Sequence, residues 1–127
     1  MHARPGGCAI IHSDSDLGIQ RLNQEAAKAM RDGLAVGIDV GPEDAITWIT
    51  ANPAKAMGIL DRTGTLEVGK NADIVVWDGD PFSVYTKASK VFIDGALLYD
   101  ADDPALSPRS DFELAQRGAS GTGGAGQ

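Results

Sequence analysis

The sequence predicts an α/β protein from three features: a short continuous apolar run at Cys8 to Ile11, an amphipathic helical pattern shortly after it, and a β-rich second half ending in an Asp-Gly hairpin. Cys8, Ala9, Ile10 and Ile11 follow Pro5, Gly6 and Gly7, and such a run reads as a strand buried on both faces. In that setting Cys8 reads as a small buried hydrophobe rather than a nucleophile. From Gly18 to Asp32, Ile19, Leu22, Ala26, Ala29 and Met30 recur at spacings of three and four, and Gly33 is placed to stop the helix in the left-handed conformation. Strand, acidic turn and helix form one half-repeat of a sheet-and-helix architecture, and one half-repeat cannot build a sheet.

Gly41 and Pro42 open a second helix, with Pro in its first turn and Glu43 and Asp44 near the positive end of its dipole. Pro53, after Asn52, starts a third short helix that Gly58 is suited to end. Trp48 and Trp77 are expected to pack in the core. From Gly64 the character changes, and Ala72 to Asp78 has the β-branched and aromatic content of a strand. Lys90 to Asp94 and Ala96 to Asp100 are joined through Asp94-Gly95, a strong hairpin signal. A last short helix is expected over Asp111 to Arg117, and the glycine-rich end from Gly118 is too small-chained to order itself. The expected division is therefore residues 1–60 (strand and helices), 61–100 (β-rich part) and 101–127 (flexible tail).

Composition narrows the function classes. The chain has 127 residues, 43% of them hydrophobic, which suits one soluble domain. A net charge of −7 opposes attraction to nucleic acid or anionic lipid. No apolar run approaches the roughly 20 residues that span a bilayer. A lone cysteine excludes an internal disulfide, and the MHARPGG start lacks a signal-peptide core, which leaves the compartment open.

Chemistry concentrates where the first strand would open into a loop, at His12, Ser13, Asp14, Ser15 and Asp16. A carboxylate there can bind a divalent metal through oxygen and take a proton from metal-activated water, and Asp14 is the best placed to do so. Capping of the next helix by Asp14, Ser15 or Asp16 is the simpler alternative. His12 reads equally as a ligand or as a hydrogen-bonded structural histidine, and His2, at the chain start, is assigned no function. Gly64 to Lys70 lacks the phosphate-loop pattern, since Asn71 follows Lys70. The acidic series Asp73, Asp78, Asp80 and Asp94 reads as solvated turn chemistry.

The stretch from Thr50 to Ser83, TANPAKAMGILDRTGTLEVGKNADIVVWDGDPFS, carries T-x-N-P-A and then G-x-x-x-x-x-G-x-L-x-x-G-K-x-A-D-h-V-h-x-x-G-D-P, with h apolar. With the hairpin from Val91 to Tyr99, it makes Ala9 to Asp100 resemble the carboxyl-terminal part of a metal-dependent amidohydrolase of the imidazolonepropionase-like branch. That resemblance implies a last βα unit of a (β/α)₈ barrel, with Cys8 to His12 as its eighth strand, followed by part of a composite β-sandwich. It implies that Asp14 ligates a divalent metal, usually zinc, and acts as general base and then acid in hydrolysis of a C–N bond. His12 and Ser13 would shape its surroundings or touch a small amide or cyclic substrate. Asn52 and Pro53 read as structural.

The family's His-x-His, its bridging lysine or carboxylate and its two later histidines have no counterpart in the sequence, and a barrel needs roughly 250 residues. The expectation is thus a fragment that needs the upstream barrel portion as partner and is inactive alone, because one carboxylate cannot hold a catalytic zinc. Exposed sheet edges would favour association with further copies. The alternative expectation is a non-catalytic β-rich interaction or structural module.

Overall fold

The structure is a computed structural model that describes residues 8–107. Residues 8–13 form no strand, which corrects the expected strand at Cys8 to His12. A strand buried on both faces needs partners on each side, and the three-stranded sheet forms elsewhere in the chain. Cys8 is consequently exposed rather than buried.

A 3-10 turn at Ile19–Arg21 leads into helix α1, Leu22–Ala35. The helix runs through Gly33, contrary to expectation, and ends two residues later. Gly37 takes φ +81, its N–H donates to Leu34 O at 3.0 Å, and Ile38 N–H donates to Gly33 O at 2.9 Å. That pair of bonds is the left-handed helix stop in which orphan carbonyls are satisfied. Gly33 serves packing instead, since a Cβ there would stand 3.3 Å from Val40 Cγ2.

Helix α2, Pro42–Thr47, begins as its sequence predicts, with Asp44 Oδ2 accepting the Gly41 N–H at 2.9 Å. Helix α3, Ala51–Ala56, starts two residues before Pro53, which the first turn tolerates because its missing N–H would have no partner there. Gly58, at φ +73, ends α3 with the same paired bonds, Gly58 N to Lys55 O and Ile59 N to Ala54 O.

The second half is an antiparallel meander of β1 (Ile74–Trp77), β2 (Ala88–Ile93) and β3 (Ala96–Asp100), in that spatial order. Asp94 and Gly95 take φ +50 and +80, the two left-handed residues of a primed turn whose twist matches the strands. Asp73 pins this turn to the preceding loop. Its Oδ1 accepts the Asp94 N–H at 3.0 Å and its Oδ2 the Thr63 hydroxyl at 2.9 Å. Both bonds favour the ionised carboxyl and hold it below the usual aspartate range. Lys90 and Asp100 pair across β2 and β3, which holds the carboxyl below and the ammonium above their ordinary values. Past β3, Ala101 N–H donates to Ser89 O and the Ser107 hydroxyl to Asp100 O.

The helix and strand content fits the α/β class, while the described residues contribute no barrel strand. The core is small. Ala26 and Ala45 are fully buried and Ala54 nearly so, and among the described residues no large side chain is fully buried. Trp48 and Trp77, expected in the core, are half-buried. A groove of ≈ 830 Å³ runs between the helices and β1, flanked by Ile46, Ile49, Met57, Ile74 and Trp77. Asn23, 7% exposed, joins the two halves by donating from Nδ2 to Pro81 O at 2.6 Å. The helix expected over Asp111 to Arg117 lies outside the described residues.

Candidate functional site

The loop from His12 to Gly18 is built from its own serines. Ser13 Oγ accepts the Ser15 N–H at 3.1 Å and donates to Ser15 O at 3.3 Å, and Ser15 Oγ accepts the Gly18 N–H at 3.1 Å. Asp16 Oδ1 accepts the Leu17 N–H at 2.9 Å, and Ile19 N–H donates to Ser15 O at 2.9 Å. Side-chain oxygens here satisfy backbone donors of the loop itself, as short polar residues do in turns. Gly18 is required by the closeness of this turn, since a Cβ would meet Ser13 Oγ at 2.8 Å.

Ser13, Ser15 and Asp16 are thus committed to the loop, and Asp14 is not. Neither Asp14 nor its neighbours caps the helix that follows, since the 3-10 turn and α1 both start without a side-chain cap bond. Asp14 is 97% exposed, with His12 Nδ1 3.5 Å from its Oδ1 and His12 itself 77% exposed. His12 and Ser13 line an open depression of ≈ 630 Å³ with Leu17, Gln20, Arg21 and Glu25.

The segment leading into this loop is held from the corner between α2 and α3. Ile11 N–H donates to Trp48 O at 3.1 Å, and Asn52 Nδ2 donates to Ala9 O at 2.8 Å. The sequence marks Asn52 as part of a motif and gives it a structural role. Its partner is hidden from any local pattern, because 43 residues separate the two.

An exposed, uncommitted carboxylate is chemically suited to bind a hard or borderline cation through oxygen. Among the described residues, however, no three His, Cys, Asp or Glu side chains converge to hold a metal ion. They supply one donor with a histidine beside it, which does not complete a site.

The chain belongs to the amidohydrolase family, whose model matches residues 9–105. It is 37% identical to imidazolonepropionase from Thermoplasma volcanium over 98 residues, covering 72% of this chain and 23% of that protein. It is likewise 37% identical to amidohydrolase tasK from Hapsidospora irregularis over 90 residues, covering 71% of this chain and 8% of that one. In structure it is similar to an amidohydrolase from Thermotoga maritima, with a TM-score of 0.56 and 39% identity over 67% of this chain and 21% of that chain. The chain thus spans less than a quarter of the length of each of these three relatives.

Proposed function

We propose that the chain is the carboxyl-terminal portion of a metal-dependent amidohydrolase that hydrolyses a C–N bond in a small amide or cyclic substrate, with Asp14 as a metal ligand and general base. One observation carries this reading. Within the family-matched span, Asp14 alone of Ser13 to Asp16 keeps its side chain free of the loop's own backbone, and it stands almost fully exposed. Holding so exposed a carboxylate beside a histidine suits a ligand that meets its remaining donors on another part of the enzyme. A bound zinc would supply Lewis acidity and an activated water. Asp14 would hold that ion through oxygen and carry a proton, and His12 would orient the carboxylate from 3.5 Å. Ser13 fixes the turn on which both stand. Residues 1–60 would belong to the barrel side, residues 61–100 to the sandwich and residues 101–127 to a tail.

The test compares wild type and Asp14→Asn in the enzyme assembled from this chain and its upstream barrel portion. Loss of bound zinc together with a fall in turnover of several orders of magnitude is expected, since proton transfer alone contributes about 10²- to 10⁴-fold. Retained zinc and turnover would remove Asp14 from the chemistry. The 127-residue chain by itself is expected to show no zinc-dependent hydrolysis above buffer.

A further inference from the structure

We propose that Asp78–Gly79 is a site of spontaneous covalent modification, at which the folded chain converts aspartate to isoaspartate in preference to its other Asp-Gly steps. The inference is independent of the metal chemistry proposed for Asp14. Three such steps occur in the chain, Asp32–Gly33, Asp78–Gly79 and Asp94–Gly95. The reaction needs no enzyme. The glycine backbone nitrogen attacks the neutral carboxyl carbon of the aspartate, a C–N bond forms, and the amide proton leaves with the carboxyl hydroxyl as water. Water then reopens the five-membered imide at either carbonyl. Opening at the backbone carbonyl leaves the chain running through the former side chain, with its original mass. Glycine favours the attack because it sets no side chain in the path and rotates freely.

The three steps differ in the state of the attacking nitrogen. Gly33 lies inside α1, where helical bonding engages its N–H. Gly95 N–H donates to Ala72 O at 3.1 Å and Asp94 N–H to Asp73 Oδ1 at 3.0 Å. That step is also a two-residue primed turn, whose twist matches the strands only at that length. Gly79 N–H, by contrast, has no backbone acceptor among the described residues, and both Asp78 and Gly79 are exposed. They open the connection of residues 78–87 between β1 and β2, and a loop takes up a lengthened backbone where a tight turn does not.

The Asp78 carboxylate is placed without being shut away, since its Oδ1 accepts the Lys87 N–H at 2.8 Å. Isomerisation returns the free carboxylate to Cα and threads the chain through Cγ, so Lys87 N–H loses this acceptor. Asp78 N–H also donates to Lys87 O at 3.1 Å, and the modification therefore loosens the paired bonds that close this end of β1 and β2.

The test ages the full 127-residue chain, folded, in mildly acidic buffer beside a sample in urea. Trypsin places the three steps on separate peptides, residues 32–55, 71–87 and 91–109, and electron-transfer fragmentation reads isoaspartate in each. In urea the three are expected to react at similar rates. In the folded chain Asp78 is expected to isomerise about fivefold or more faster than Asp94, as engagement of the Gly95 N–H in one ordinary hydrogen bond implies, and Asp32 should be slow as well. Asp78→Asn and Asp94→Asn undergo the same ring closure with ammonia as the leaving group and a mass increase on hydrolysis, and they should keep the same order. Equal rates at Asp78 and Asp94 in the folded chain, or a faster Asp94, overturn the proposal. An order in the fold that only repeats the order in urea overturns it too, because sequence rather than structure would then set it. If the wild type forms no isoaspartate while it stays folded, the two Asn variants decide by the same criteria.

Discussion

Gly64 joins the helices to the sheet half under two constraints that a single substitution exposes together. Its φ is +92, and a Cβ placed there would lie 2.5 Å from Ala54 Cβ and 3.2 Å from Thr50 O. Gly64→Ala therefore incurs the left-handed backbone penalty of about 1–2 kcal/mol and an overpacking cost of about 1–3 kcal/mol, or about 2–5 kcal/mol together. Gly69 provides the control. It has the same φ of +92 with nothing within 4 Å of the added methyl, so Gly69→Ala carries the backbone term alone. The two variants should differ by about 1–3 kcal/mol, which at a urea slope near 1 kcal/mol/M separates their midpoints by about 1–3 M. Ala54→Gly on the Gly64→Ala background removes the nearer obstacle, and the pair should couple by about 0.5–3 kcal/mol in a double-mutant cycle. Urea unfolding followed by tryptophan fluorescence reads all four. Equal midpoints for Gly64→Ala and Gly69→Ala, or no coupling with Ala54→Gly, would refute the packing argument.

The sheet half should also answer to pH. Because Asp73 is held below its ordinary value, its contribution is full above the unfolded aspartate value of about 3.9 and is lost as pH falls through the lower folded one. Asp73→Asn should flatten that acid limb in unfolding curves taken across pH. Lys90, held above its ordinary value, contributes below the unfolded lysine value and loses that contribution as pH rises through the higher folded one, so Lys90→Met should remove an alkaline limb in the same measurement. Gly95→Val, at φ +80, should lower the melting midpoint through a left-handed penalty of about 1–2 kcal/mol, read by circular dichroism. Asp14→Asn should leave that midpoint where it is, since the carboxylate bonds to none of its loop's backbone and its one neighbour, His12, is as exposed to solvent as an ordinary surface pair, and a clear drop would give Asp14 a structural role instead.

What could be read from the sequence divides along the range of the interactions. The hairpin at Asp94-Gly95, the proline start of α2 and the glycine end of α3 each depend on residues a few positions apart, and each formed where the sequence placed it. The run at Cys8 to Ile11 carries the composition of a buried strand, but strand formation needs neighbours, and none of the described strands lies beside it. Gly33 shows the same limit on a smaller scale. Two glycines were available to stop α1, and the nearer was already taken by Val40 packing against it. At the candidate site, position and residue type single out Asp14 in the sequence, whereas its freedom from the loop's backbone depends on Ser13, Ser15 and Asp16 bonding to Ser15, Gly18 and Leu17 instead. The bond from Asn52 to Ala9 has no local signature at all.

The alanine core has a calorimetric consequence. The heat-capacity increment of unfolding scales with apolar surface brought out of the interior, and Ala26, Ala45 and Ala54 have little of it to release. By itself the chain should therefore melt over a broad range, with a small increment and a flat dependence of enthalpy on temperature. The missing increment is not lost from the system. Leu66, Val68, Met57 and Val84 remain largely exposed, and whatever covers them will register as a negative heat-capacity change of association. Titration calorimetry at several temperatures would thus weigh the apolar surface of an assembly partner before its structure is known.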